Sequence, residues 1–128
     1  MNIKDDSCAC GTAPKIIFSC SGAADVGAIS DQAARKLTRD GVGQMACLTG
    51  IGGRVPGIIK SAEAASKILV MDGCPLNCAK KCLEEAGITK FTHLQFKDLD
   101  LVKGKSDVNA ENIEKAVKSA SALLEGED

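Results

Sequence analysis

The stretch "ILVMDGCPLNCAKKCLEEAG", residues 68–87, runs from an apolar, strand-like segment into Cys74, Cys78 and Cys82, spaced four apart. Thiols at that spacing stack along one side of a helix. There they could hold a soft metal ion, carry thiol-disulfide chemistry, or fill a core as small apolar residues. Seven cysteines are many for 128 residues, and an odd count leaves one over from any closed disulfide framework. The N-terminal "MNIKDDSCACGTAP" carries charge where a signal peptide needs an apolar segment, and no later apolar run reaches the length of a membrane span. These features describe a cytoplasmic chain, outside any membrane, whose cysteines serve metal or thiol chemistry in a reducing compartment.

The elements that must position those thiols follow from periodicity. Short apolar runs at 15–20 ("KIIFSC"), 43–48 ("GQMACL"), 67–71 ("KILVM") and 93–96 ("HLQF") read as strands. Between them lie four stretches of helical period. The first spans about Ala24 to Asp40, with Val26, Ile29, Ala33 and Leu37 on one face. The second carries Val55, Ile58, Ile59 and Ala62 after the glycine-rich "TGIGGRVPG", with Pro56 in its first turn. The third begins near Pro75, turns Leu76, Ala79, Leu83 and Ala86 inward, and stops at Gly87. The fourth is capped by Asn109, with Val108 and Ile113 as an apolar staple across the cap. Alternating strands and helices predict a single small three-layer α/β domain. About four mainly parallel strands carry helices on both faces, in Rossmann-like fashion, with strand order 2-1-3-4. Residues 1–14 read as a flexible arm, 15–128 as the domain, and 103–108 as a loop.

On this map Cys20 ends the first strand, Cys47 lies near the end of the second, and Cys74 comes just after the third. The carboxyl ends of parallel strands form the ligand crevice of such a sheet, so the three converge on one edge. Cys78 joins them because side chains on a helix lean toward its N-terminus. Four thiolates suit tetrahedral Zn2+, so Cys20, Cys47, Cys74 and Cys78 are the candidate metal ligands. Neighbouring helix N-termini and Arg54, Lys80 and Lys81 favour the net negative charge of such a site. Cys82, another turn and about 6 Å further along the helix, reads as a core residue.

Other residues carry less. Cys8 and Cys10 on the arm read as spectators, and His93 as structural or surface. Without a Walker lysine and serine, the glycines of "TGIGGRVPG" shape the turn between strand and helix. Asp72 caps the next helix, or orients a thiolate from behind. The loop "CSGAADVG" bears a superficial likeness to the phosphate loop of low-molecular-weight phosphatases and arsenate reductases. Val26 and Gly27 stand where that loop needs its arginine, so phosphatase chemistry is set aside.

At "DGCPLNCAKK", "CSGAADVGAISDQAARKL" and "MACLTGIGG" the chain resembles the DGC-domain family of small bacterial and archaeal proteins, named for the motif that is here Asp72, Gly73 and Cys74. The resemblance covers nearly the whole chain. It implies zinc binding by four chelating cysteines, a description that Cys20, Cys47, Cys74 and Cys78 fit, and it supplies no activity.

With 16 Lys plus Arg against 17 Asp plus Glu, no Trp or Tyr and three Phe, the chain lacks both the basic surface and the aromatic platforms of a nucleic-acid binder. No complete catalytic motif is present, so a binding protein is expected rather than an enzyme. Its partner is a metal ion, with a protein as a second partner of unassigned kind. The alternative reading is a thiol-redox or iron-sulfur protein built on the same cysteines.

Overall fold

The apolar runs pair as an all-parallel sheet because each is β-branched or apolar on both faces and can be covered only by helices on both sides. The computed structural model describes residues 13–126. Its strands are β1 (Lys15–Ser19), β2 (Gln44–Met45), β3 (Lys67–Asp72) and β4 (Thr92–Gln95). Its helices are α1 (Asp25–Arg39), α2 (Leu48–Gly52), α3 (Pro56–Ala64), α4 (Cys78–Glu85) and α5 (Ala110–Glu125), with a 3-10 turn at Phe96–Leu99. The sheet order is β2-β1-β3-β4, and every pairing is parallel. This is the expected 2-1-3-4 arrangement.

Alternation along the strands divides the core in two. Ile17, Leu69, Met71 and Leu94 meet α1 and α5, through Val26, Ile29, Leu37, Ala116, Ala120 and their neighbours. Ile16, Phe18, Ile68 and Val70 meet Ile51 of α2, Ala62 of α3, and Ala79 and Leu83 of α4. Phe18 is wholly buried, so Phe18→Ala would cost about 3–5 kcal/mol.

Four local expectations are corrected. The expected strand at 43–48 keeps only Gln44 and Met45, because the chain leaves the ladder after the Ala46 amide and Cys47 adopts the extended N-cap conformation of α2. The glycine-rich turn contains a real helix, Leu48–Gly52. Burial of Ile51 overrides the poor helix propensity of its two glycines. α4 starts at Cys78 rather than near Pro75, since Asn77 sits in the left-handed region (φ 55°), and Leu76 is 61% exposed rather than inward. Val108 is 49% exposed, so little of the proposed staple is covered, although the Asn109 cap is present: its side chain accepts from Asn112 N at 2.8 Å.

Among the described residues no helix is long and apolar enough to cross a membrane. Cys8, Cys10 and all but the last two residues of the expected arm lie outside the described residues. Pro14 is already anchored, its carbonyl accepting from Ser66 N at 3.0 Å.

Candidate functional site

The carboxyl edge of the sheet is built by the loops that leave β1, β2 and β3. β1 hands the chain to Cys20, whose amide donates to Met71 O at 3.1 Å. Its thiol in turn accepts from Gly73 N at 3.3 Å. The Cys20 sulfur is thereby tied to the loop that carries Cys74. Gly73 has a strict reason to be glycine: a β-carbon there would lie 2.5 Å from Val26 O. The same holds one loop away, where a β-carbon at Gly27 would lie 2.7 Å from Gly22 O. Close approach of backbone to backbone therefore packs the 20–24 and 73–77 loops onto the start of α1.

Asp72 is 1% exposed, and its carboxylate accepts from Ala79 N at 2.8 Å and Lys80 N at 3.0 Å, two amides of the first turn of α4. It is the cap of that helix, as one of its two expected roles required. It also has a partner that the sequence reading missed. His93 Nε2 lies 2.8 Å from Asp72 Oδ2. Spacing along the sequence offers His93 no partner, yet β3 and β4 are neighbours with Val70 opposite His93, which sets its ring on the face that Asp72 shares with α4. Gln95, next on that face, donates to Cys74 O at 3.1 Å and to Asn77 Oδ1 at 2.6 Å, holding the loop between Cys74 and Cys78.

A second polar group lies beside Cys20. Ser19 and Ser30, both buried, share a hydrogen bond of 2.8 Å. Ser21, at φ 41°, lies 3.1 Å from Ser19 Oγ and donates to Asp31 Oδ1 at 2.9 Å. Arg35 Nε donates to Asp31 Oδ2 at 2.8 Å. Serines inside an apolar strand and on the inner face of a helix were the available sequence signal. Ser19, Ser21, Asp31 and Arg35 border, with Arg39 and Cys47, a cavity of about 730 Å³.

The five described cysteines are free thiols. Cys47 and Cys78 are exposed, whereas Cys20, Cys74 and Cys82 are half-buried. Cys20 packs against the core on the α4 side of the sheet and Cys74 against the core on the α1 side. Cys20 and Cys47 share the cavity wall, and Cys74 and Cys78 flank the Asn77 turn. Cys82 packs toward α2, where a β-carbon at Gly52 would lie 3.8 Å from its sulfur. Arg54, expected near the thiols, is instead bonded to carbonyl groups at the C-terminal ends of α2 and α4, including Glu85 O at 2.8 Å. It therefore sits at the opposite end of α4 from Cys78.

Four thiols are a donor set of the right kind for Zn2+. Their placement is open: among the described residues no three or more His, Cys, Asp or Glu side chains are grouped to hold a metal ion.

Two comparisons bear on this edge. The chain is 32% identical over 110 residues to the anaerobic and virulence modulator AnvM of Pseudomonas aeruginosa, covering 85% of this chain and 84% of that protein. No solved structure matches the chain. The model of the DGC domain matches residues 16–120, a span from the first strand to the last helix that contains the Asp72 cap, the Gly73 approach and the Cys74 thiol. The chain belongs to the DGC-domain family.

Proposed function

We propose that this protein is a regulatory zinc-binding protein that takes up Zn2+ through Cys20, Cys47, Cys74 and Cys78. The observation that carries the reading is the hydrogen bond from Gly73 N to Cys20 Sγ at 3.3 Å, which ties the thiol of the first loop to the segment bearing Cys74 and Cys78. Thiolate ligands supply a soft, charged donor set. Those donors come from three loops at the edge, and on this reading the loops at 46–48 and 73–78 close around the ion. Asp72 and His93 hold the ends of β3 and β4 and the start of α4 while the loops close. A regulatory role is supported by the name of the relative, a modulator, and a cytoplasmic setting by the seven cysteines.

A second reading, an iron-sulfur or thiol-disulfide protein, is favoured by the exposure of Cys47 and Cys78 as free thiols. Elemental and sulfide analysis of protein purified without oxygen separates the two. Zinc near one equivalent per chain supports the first; iron with inorganic sulfide supports an iron-sulfur cluster; absence of metal defeats both metal readings. Within the zinc reading, Cys78→Ser sharply lowers zinc affinity, whereas Cys82→Ser leaves it near wild type. The reverse pattern would move the site into α4.

A further inference from the structure

The cavity beside Cys20 supports an additional chemistry. Cys20 and Cys47 open onto it together, and Arg35 and Arg39 line the same wall. The two cysteines follow the carboxyl ends of the adjacent strands β1 and β2. Ile17 pairs with Met45, and the ladder runs one bond further, from Ala46 N to Ile17 O at 3.0 Å. Cys47 is exposed, whereas Cys20 is half-buried and its sulfur already accepts from Gly73 N. Cys47 is therefore the thiol that meets a reagent first.

The charges in the cavity select the reagent. Asp31 is bonded to Ser21 and to Arg35 Nε, which leaves the terminal nitrogens of Arg35 available. Arg39 is exposed and has no hydrogen bond or ion pair among the described residues. Arginine presents paired N–H groups that match carboxylates.

We propose that Cys20 and Cys47 form a dithiol that is oxidised by a low-molecular-weight disulfide bearing carboxylates, which Arg39 and Arg35 draw into the cavity. Cys47 loses its proton to solvent and its thiolate attacks one sulfur of R–S–S–R, forming Cys47–S–S–R and releasing R–S⁻. Cys20 then loses its proton to solvent and attacks the Cys47 sulfur, forming the Cys20–Cys47 disulfide and expelling the second R–S⁻. Two electrons pass from the protein thiols to the small disulfide, which leaves as two thiols after protonation. The step regulates the same cysteines as the zinc reading and rests on that reading for its consequence, which is release of the metal.

The test treats reduced, zinc-free, full-length protein with glutathione disulfide and follows it by intact mass and peptide mapping. Wild type is expected to end as a Cys20–Cys47 disulfide with no glutathione retained on Cys20 or Cys47, while Cys20→Ser and Cys20→Ala each retain glutathione on Cys47. Arg39→Gln in the Cys20→Ser background should slow adduct formation about fivefold at low salt, and should not slow reaction with cystamine, a cationic disulfide. A stable adduct on wild type without the internal disulfide, an adduct placed on Cys78 instead of Cys47, or indifference to Arg39→Gln would overturn the proposal. A zinc-uptake assay on the same preparation keeps the two readings apart. Disulfide formation in a protein that never binds zinc sinks the zinc reading alone, and zinc binding without disulfide formation sinks this one alone.

Discussion

Asp72 shows how much one side chain at this edge is asked to do. Its buried carboxylate accepts from two amides of α4 and pairs with His93, so it joins a strand end, a helix start and the neighbouring strand. Capping at this position was readable from an acidic residue preceding a helix. The His93 partner was not, because the contact depends on strand register rather than on spacing within one element. Asp72→Ala leaves two helix amides and an imidazole without their acceptor. The expected loss of stability is about 2–3 kcal/mol, measured by denaturant unfolding, with amide exchange in the first turn of α4 rising in step. A loss confined to a few tenths of a kcal/mol would mean that solvent replaces the carboxylate and that the cap does not set where α4 begins.

At the scale of elements, the long periodic segments were legible and the short ones were not. α1, β1, β3 and α5 follow their apolar patterns to within a few residues because burial on both sides of the sheet demands those patterns. α2 was hidden, since two of its five residues are glycine and only the burial of Ile51 makes it helical. The start of α4 was misplaced because Leu76 looks like a core residue but follows Pro75 into an exposed turn.

Asp25 illustrates a tertiary tie that spacing could not reveal. Its carboxylate accepts from Gly104 N at 2.9 Å and Ser106 N at 3.2 Å, fastening the loop ahead of α5 to the first turn of α1. Those bonds, that to Gly104 foremost, hold the Asp25 carboxyl below its ordinary value despite some desolvation that opposes the shift. A depressed folded-state pKa contributes stability that is fully present above the unfolded value of about 3.9 and is lost as pH falls below it through the folded value. NMR shifts of the Gly104 and Ser106 amides should therefore titrate below about pH 3.9, and Asp25→Asn should abolish that transition while loosening the loop. An unchanged transition in the variant would assign it to another carboxyl group.

For the whole molecule, sheet order followed from the alternation of strands and helices, and that order is what brings Cys20, Cys47, Cys74 and Cys78 to one edge. Their grouping within the edge was not legible, because it depends on loop conformations. Cys47 occupies the N-cap position of a helix that the sequence concealed, Asn77 turns left-handed between Cys74 and Cys78, and Cys20 and Cys74 pack on opposite faces of the sheet. If these loops close on zinc, the ion links metal affinity to folding. A chelator should then lower the melting temperature of the loaded protein and raise exchange at residues 46–48 and 73–78. The most direct test of the central claim is X-ray absorption at the zinc edge on protein loaded with one equivalent of the metal. Four sulfur scatterers at about 2.3 Å, reduced by one in Cys78→Ser and unaltered in Cys82→Ser, is the result the account predicts. A shell of nitrogen and oxygen ligands, or a sulfur count indifferent to Cys78→Ser, would contradict it.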